Sequence, residues 1–285
     1  MNFKKQAAAG ILFALPALAG ILIFYIIPYF LGLFYSFTTG ISNKSFIGFE
    51  NYSQLFRNGT FLLSLKNTLI FTAISIPLVI IISFSIALFL NTFTKQISFI
   101  RGLFIIPLIV PTASVTNVWK IIFGDYGLIN GMLNKFGLNS VRFFDGKFAM
   151  AMVILIFVWK NCAYNIILFS VALSKIPKGI IEHAQLDGAS KLSLLKYITI
   201  PMVSPTTFFV FLLSIISSFK IFREVFLLYG NYPNENVYFL QHFMNNNFYN
   251  LDYARLSSAS TILSVFLIAV LLIFFIRDKR KNYLE

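Results

Sequence analysis

Acidic residues are scarce in this sequence, with 10 Asp and Glu among 285 positions. All charged residues together make up 12%, about half the share of an ordinary soluble domain. A chain so poor in charge cannot cover a water-exposed surface of normal size. The 58% hydrophobic content, the 35 Phe and a mean hydropathy of +0.80 point to lipid as the solvent for most of it. A single cysteine, Cys162, excludes a disulfide framework and a thiolate metal cluster. The two histidines, His183 and His242, lie far apart in the chain, which argues against a metal site. No G-x-x-x-x-G-K-S/T loop occurs, so neither ATP hydrolysis nor a cofactor of its own is expected of this chain, and no catalytic constellation stands out. The net charge of +13 is no nucleic-acid footprint either, because the Lys and Arg bracket apolar stretches as they do at a membrane surface.

What the sequence does have is long charge-free runs, and about 20 apolar residues suffice for a helix to cross the hydrocarbon core. Six such spans are expected, at about 11–37, 67–91, 102–123, 150–174, 202–221 and 256–276. The predicted fold is therefore an all-α integral membrane protein, one transmembrane domain over residues 1–285. The third span contains Pro107 and Pro111, and the fourth is interrupted by Lys160. The first follows a basic start at Lys4 and Lys5. Its apolar stretch continues to Phe37, well beyond a signal-peptide core of roughly 7–15 residues, so an uncleaved first helix is expected. An even number of spans puts both termini on one side. Twelve basic residues lie in the segments that face inward if the termini are cytoplasmic, and seven lie in the longer outer segments 38–60, 124–147 and 222–255. This bias predicts cytoplasmic termini and puts residues 174–201 on the cytoplasmic side.

That inner segment runs from Ile176 and Pro177 through Glu182-His183-Ala184 and Asp187-Gly188-Ala189 to Ile198-Thr199-Ile200-Pro201. Pro177 ends the fourth span. Ile180, Ile181, Ala184 and Leu186 predict a short amphipathic helix that Gly188 terminates. A second helix over Ala189–Tyr197 is expected, with Leu192, Leu195 and Ile198 on one face. Two short helices joined at a glycine make a rigid protrusion able to pass force to the spans.

The loop resembles the signature of permease subunits in binding-protein-dependent ABC importers: Glu-Ala-Ala, three residues, Gly, nine residues, then Ile-x-Leu-Pro. Glu182, Ala184 and Gly188 fall in register, and Ile198-x-Ile200-Pro201 closes the pattern. His183 replaces the first Ala and Ile200 replaces Leu. Asp187-Gly188-Ala189 is similar to the carbohydrate-uptake branch, as are Gly48-Phe-Glu-Asn51-Tyr52, Asn67-Thr68, Trp119-Lys120, Tyr126–Asn130 and Trp159-Lys160. The resemblance covers nearly the whole chain. It implies six helices with a coupling loop, 177–201, between the fourth and fifth, in a bacterial cytoplasmic membrane. It implies half of a pathway for a sugar, an oligosaccharide or a related small polar solute, completed by a second, related permease subunit. Two ATPase subunits, which use ATP and Mg, would bind below, and an extracellular solute-binding protein would deliver its ligand from above. The resemblance assigns ATPase coupling to Glu182, His183, Ala184, Asp187, Gly188, Ile198 and Pro201. Glu182 would make a charge-assisted contact with a basic ATPase residue.

Polar residues within spans are functional candidates by default. Lys160 leads, followed by Asn161, Tyr164 and Asn165 in the same span and Asn117 in the third. Placed about 9 Å from the outer end of a 20-residue span, Lys160 could instead snorkel to the head groups. The alternative function is a secondary, ion-coupled transporter. It would require paired acidic residues at mid-membrane, and none is expected inside the six spans.

Overall fold

The computed structural model describes residues 3–40, 45–91 and 109–282. Helix dominates throughout, and the described residues contain no strand, only an isolated bridge between Thr38 and Phe46. Among them, five helical stretches are long and apolar enough to cross a membrane: Ile11–Tyr35, Gly59–Asn91, Gly146–Ser174, Lys191–Tyr229 and Tyr253–Ile273. The expected third span, 102–123, lies partly outside the described residues, and so does Pro107. Its described part is the helix Thr112–Phe123, about 18 Å long and too short to cross alone.

We number the helices α1 (3–35), α2 (Glu50–Arg57), α3 (Gly59–Asn91), α4 (Thr112–Phe123), α5 (Leu128–Lys135), α6 (Ala149–Ser174), α7 (Lys178–Leu186), α8 (191–220), α9 (Phe222–Tyr229), α10 (Leu240–Tyr249) and α11 (Tyr253–Asn282). Several outrun the apolar runs in the sequence. Helix α3 starts at Gly59, ahead of Lys66, because a charge ends an apolar run without ending a helix. Both α1 and α8 contain a π turn, at Leu22–Ile26 and Leu195–Thr199. Each turn is followed, two residues on, by a proline, Pro28 or Pro201. A proline has no N–H for the carbonyl four residues back and its ring crowds that carbonyl, so widening the preceding turn relieves the clash.

The chain forms two compact units, residues 1–62 with 243–285, and residues 63–242. In the first, Asn51 of α2 donates to the carbonyls of Ser36 and Thr38 at 2.9 and 2.8 Å, and Tyr52 hydroxyl meets Ser36 Oγ at 2.6 Å. Phe37 adds an edge-on contact to Phe49 at 5.4 Å. The Asn51-Tyr52 pair is thus the clamp that closes the chain after α1.

The second unit is built around α6, the most buried of the long helices. Helix α3 faces inward along Ser64, Thr68, Phe71, Ser75, Val79, Ser83 and Ala87, a stripe at helical spacing in which small residues let backbones approach. Its Ser83 Oγ donates to Cys162 Sγ of α6 at 3.2 Å. Phe71, Val79, Val153, Phe157, Ile166, Phe169, Val203, Val210 and Val225 form one continuous core. Asn67 donates to the carbonyls of Glu235 and Tyr238 at 2.6 and 3.1 Å, and Thr68 Oγ1 accepts from Leu240 N–H at 2.9 Å. Asn130 performs the same service for Gly124 and Val141. These motif asparagines satisfy backbone groups that would otherwise stay unpaired.

Candidate functional site

Two places in the second unit gather the candidate residues. The first is the loop after α6. Pro177, in extended backbone, ends the preceding helix and opens α7. At its other end Gly188 adopts φ +82°. Ala189 N–H donates back to Ala184 carbonyl at 2.9 Å and Gly188 N–H to Gln185 carbonyl at 3.0 Å. This pair of bonds is a Schellman cap, and it needs a left-handed residue at that position. Ser190 then caps α8 by accepting from Ser193 N–H at 3.2 Å. Gly188 thus ends α7, and one residue, Ala189, separates it from the next cap.

Helix α7 is two-faced. Ile181 is half-buried against the core, and Ala184 is half-buried on the same side. Glu182, His183, Asp187 and Gly188 are exposed, and Leu186 is 84% exposed. Beyond the cap the inward face carries Leu194, Leu195 and Ile198. Leu192, expected on that face, is instead 73% exposed. The helix starts at Lys191 rather than Ala189, and the π turn over Leu195–Thr199 advances the register. Leu186, Leu192 and Tyr197 therefore leave bare apolar surface along the loop. Pro201 follows directly inside the continuous helix α8, and the widened turn before it accommodates its missing N–H.

The second place lies where α6 meets α8 and α9. Lys160 occupies the middle of the Gly146–Ser174 stretch, eleven residues from the start of α6 and so about 16 Å from that end. Its ammonium does not reach outward. It donates to Thr112 Oγ1 at 3.1 Å and forms an ion pair with Glu224 Oε1. Glu224 belongs to α9, within the apolar stretch Lys191–Tyr229, and its side chain is 4% exposed. Glu224 lies just beyond the expected fifth span, 202–221, and its carboxylate is nevertheless buried. The charged trio Lys220, Arg223 and Glu224 interrupts the apolar run, yet the helix continues past it to Tyr229 after one turn at Ile221.

Beside the pair lies a cleft of about 80 Å³, lined by Phe157, Lys160, Asn161, Ser217, Lys220 and Glu224 together with Ile221. Lys160 and Asn161 both line it. Asn161 Nδ2 is occupied by its own helix, donating to Phe157 carbonyl at 2.8 Å. Asn165 is buried on another side of α6 and donates to Ser214 Oγ at 3.5 Å. Tyr164 is 42% exposed, and Asn117 is exposed on α4, so neither lines the cleft. Glu224, Ser217, Lys220 and Thr112 were missed because they converge from distant segments. The one available signal was a charged trio followed at once by Val225-Phe226-Leu227-Leu228.

His242 lies elsewhere and is fully buried between Phe222, Tyr238 and Phe239. Its Nδ1 accepts from Phe239 N–H at 3.4 Å. Burial among rings holds its pKa down at about 4, so it is neutral near pH 7. Among the described residues no cluster of His, Cys, Asp and Glu could hold a metal.

Residues 53–280 match the family described as "Binding-protein-dependent transport system inner membrane component". The chain belongs to that family. This permease is 29% identical to the trehalose/maltose transport system permease protein MalF of Thermococcus litoralis, over 97% of its own length and 95% of the relative's. It is 30% identical to the sn-glycerol-3-phosphate transport system permease protein UgpA of Yersinia pestis, over 95% and 94% of the two chains. It is also 30% identical to the arabinooligosaccharides transport system permease protein AraP of Bacillus subtilis, over 82% and 76%. Its fold matches a chain of the crystal structure of a bacterial ABC transporter involved in the import of the acidic polysaccharide alginate, with TM-score 0.85 over 98% of both chains at 22% identity. The permease is thus an ABC importer component of the inner membrane, crossing it several times, with sugar permeases as relatives.

Proposed function

We propose that this permease forms half of the translocation pathway for a sugar, an oligosaccharide or a related polyol, and that separate ATPase subunits drive it through the loop 177–201. The observation that carries the reading is the shape of that loop. Glu182, His183 and Leu186 stand exposed on α7, while Ile181 and Ala184 tie the same helix to the core around α6. A partner that grips the outer face therefore moves the helix that is continuous with the core. The rigid cap at Gly188 passes that motion on to α8 without a floppy joint. Glu182 offers the carboxylate for a basic ATPase residue, and Leu186 and Leu192 offer apolar surface for the rim of a cleft.

In this reading the termini face the cytoplasm, where the positive-inside bias puts the loop as well. A second, related permease completes the pathway, a solute-binding protein delivers the ligand from outside, and ATP and Mg are bound by the ATPases. The relatives named for trehalose and maltose, arabinooligosaccharides and glycerol phosphate support a polyhydroxyl solute. The polar cleft beside Lys160 is the part of the pathway that this chain contributes. Gly188→Asp, or Glu182→Lys, is expected to abolish uptake in cells while the permease still inserts into the membrane. Uptake at the wild-type rate, with the ATPase still co-purifying, would refute the coupling assignment.

A further inference from the structure

We infer that α5 is an interfacial helix lying along the head-group region of the bilayer, with its face of Leu128, Met132 and Phe136 sunk into the lipid. These three residues recur every fourth position along one side of the helix, and all are exposed, Phe136 to 82%. The opposite side carries the contacts with the fold. Asn130 is buried there, donating to the carbonyls of Gly124 and Val141 at 3.0 and 2.9 Å and accepting from Val141 N–H at 2.8 Å. Ile129 and Leu133 flank it and are half-buried. An apolar stripe left bare on a helix that already has its contact with the fold calls for an apolar surface outside the chain.

The bare stripe is held in place from both ends. Gly127 opens α5 so close to α4 that a Cβ there would come within 2.8 Å of the carbonyls of Ile121 and Ile122. At the other end Gly137 adopts φ +73°. Leu138 N–H donates to Leu133 carbonyl at 2.9 Å and Gly137 N–H to Asn134 carbonyl at 3.1 Å, a second Schellman cap. The helix therefore needs no partner in order to form, and its outward face is set before anything covers it.

Lipid is the occupant that the surroundings fit. Helix α6 has 26 residues and is about 39 Å long. That exceeds the roughly 30 Å of the hydrocarbon core, so its start at Ala149 reaches the head groups. Rings tie that end of α6 to α4: Phe123 meets Phe143 at 5.3 Å, and Phe143 meets Phe148 at 6.2 Å. Helix α5, bonded to Gly124 and Val141, lies at the same level, where aromatic side chains gather at membrane surfaces. Lys135, Arg142 and Lys147 are exposed around it, against two carboxylates, Asp125 and Asp145. Their long stems let the charges reach lipid phosphates while the apolar face stays below.

The test is electron paramagnetic resonance on the full-length permease carrying Cys162→Ser, in nanodiscs of phosphatidylcholine and phosphatidylglycerol. A nitroxide is attached at Met132→Cys or, as the control, at Asn134→Cys, which is exposed but lies on the Asn130 side of the helix. Power saturation compares collisions with oxygen, which dissolves in lipid, and with a nickel chelate, which stays in water. The Met132 label is expected to give an oxygen-to-nickel ratio above unity, and the Asn134 label a ratio below it. Should Met132→Cys fail to fold, Leu128→Cys reads the same face. A ratio below unity at Met132 means a helix facing water, and exclusion of both reagents means a protein partner on the stripe, such as a second copy. Either result would overturn the inference.

Discussion

The loop after α6 and the cleft beside Lys160 divide the work of this permease in opposite ways. The loop is a contiguous stretch whose key side chains, Glu182, His183 and Leu186, point away from the fold. The cleft is assembled from Thr112, Lys160, Ser217, Lys220 and Glu224, and its central carboxylate is buried. Substitutions at the buried pair Lys160 and Glu224 should therefore act on the stability of the chain, and substitutions in the loop on what the chain can be coupled to. The two histidines repeat the contrast, with His183 exposed on α7 and His242 fully buried.

The largest effect is expected from Lys160→Met. It leaves Glu224 buried without its counter-charge, which costs on the order of 3–5 kcal/mol. The double variant Lys160→Met/Glu224→Met should recover most of that loss, since an apolar pair avoids burying any charge. Melting temperatures in detergent check both, and equal melting of single and double variants would show that the pair carries no coupling.

The next effect depends on pH. His242 must stay neutral to remain buried, and its pKa of about 4 lies below the ordinary value of 6.5. The unfolded chain takes up a proton first as pH falls, so stability is full above about pH 6.5 and declines down to about pH 4. The decline amounts to about 3 kcal/mol at most. His242→Phe should flatten that part of the pH–melting curve.

A smaller loss is expected at Gly188. A Cβ there meets no neighbour within 4 Å, but φ is +82°, a conformation that costs an ordinary L-residue roughly 1–2 kcal/mol. Gly188→Ala should therefore weaken the cap without unfolding the chain, and Gly188→Asn should weaken it less. Hydrogen exchange over residues 184–190 measures that loss directly.

How much of each region could be read from the sequence follows from the same contrast. The loop was legible because its information is local: Pro177 stops a helix, Gly188 permits a left-handed cap, and spacing carries the rest. Only the face of the second helix came out differently, because the π turn before Pro201 shifts Leu192 outward. The cleft was half legible. Lys160 and Asn161 stand out in an apolar run, but their partner Glu224 comes from a segment 64 residues away that looked like an outer loop. Charge marks where an apolar run stops, and in α9 an ion pair lets the helix carry a buried carboxylate onward. Tyr164 and Asn117 show the converse, since polarity along a helix does not tell which residues share a cavity.

The most direct test of the coupling account is the Glu182→Lys variant, assayed for sugar uptake, for ATPase co-purification and for melting temperature in one preparation. The account predicts lost uptake and weakened ATPase association with an unchanged melting temperature, because Glu182 is exposed and makes no hydrogen bond or ion pair among the described residues. Wild-type uptake with wild-type association would contradict it.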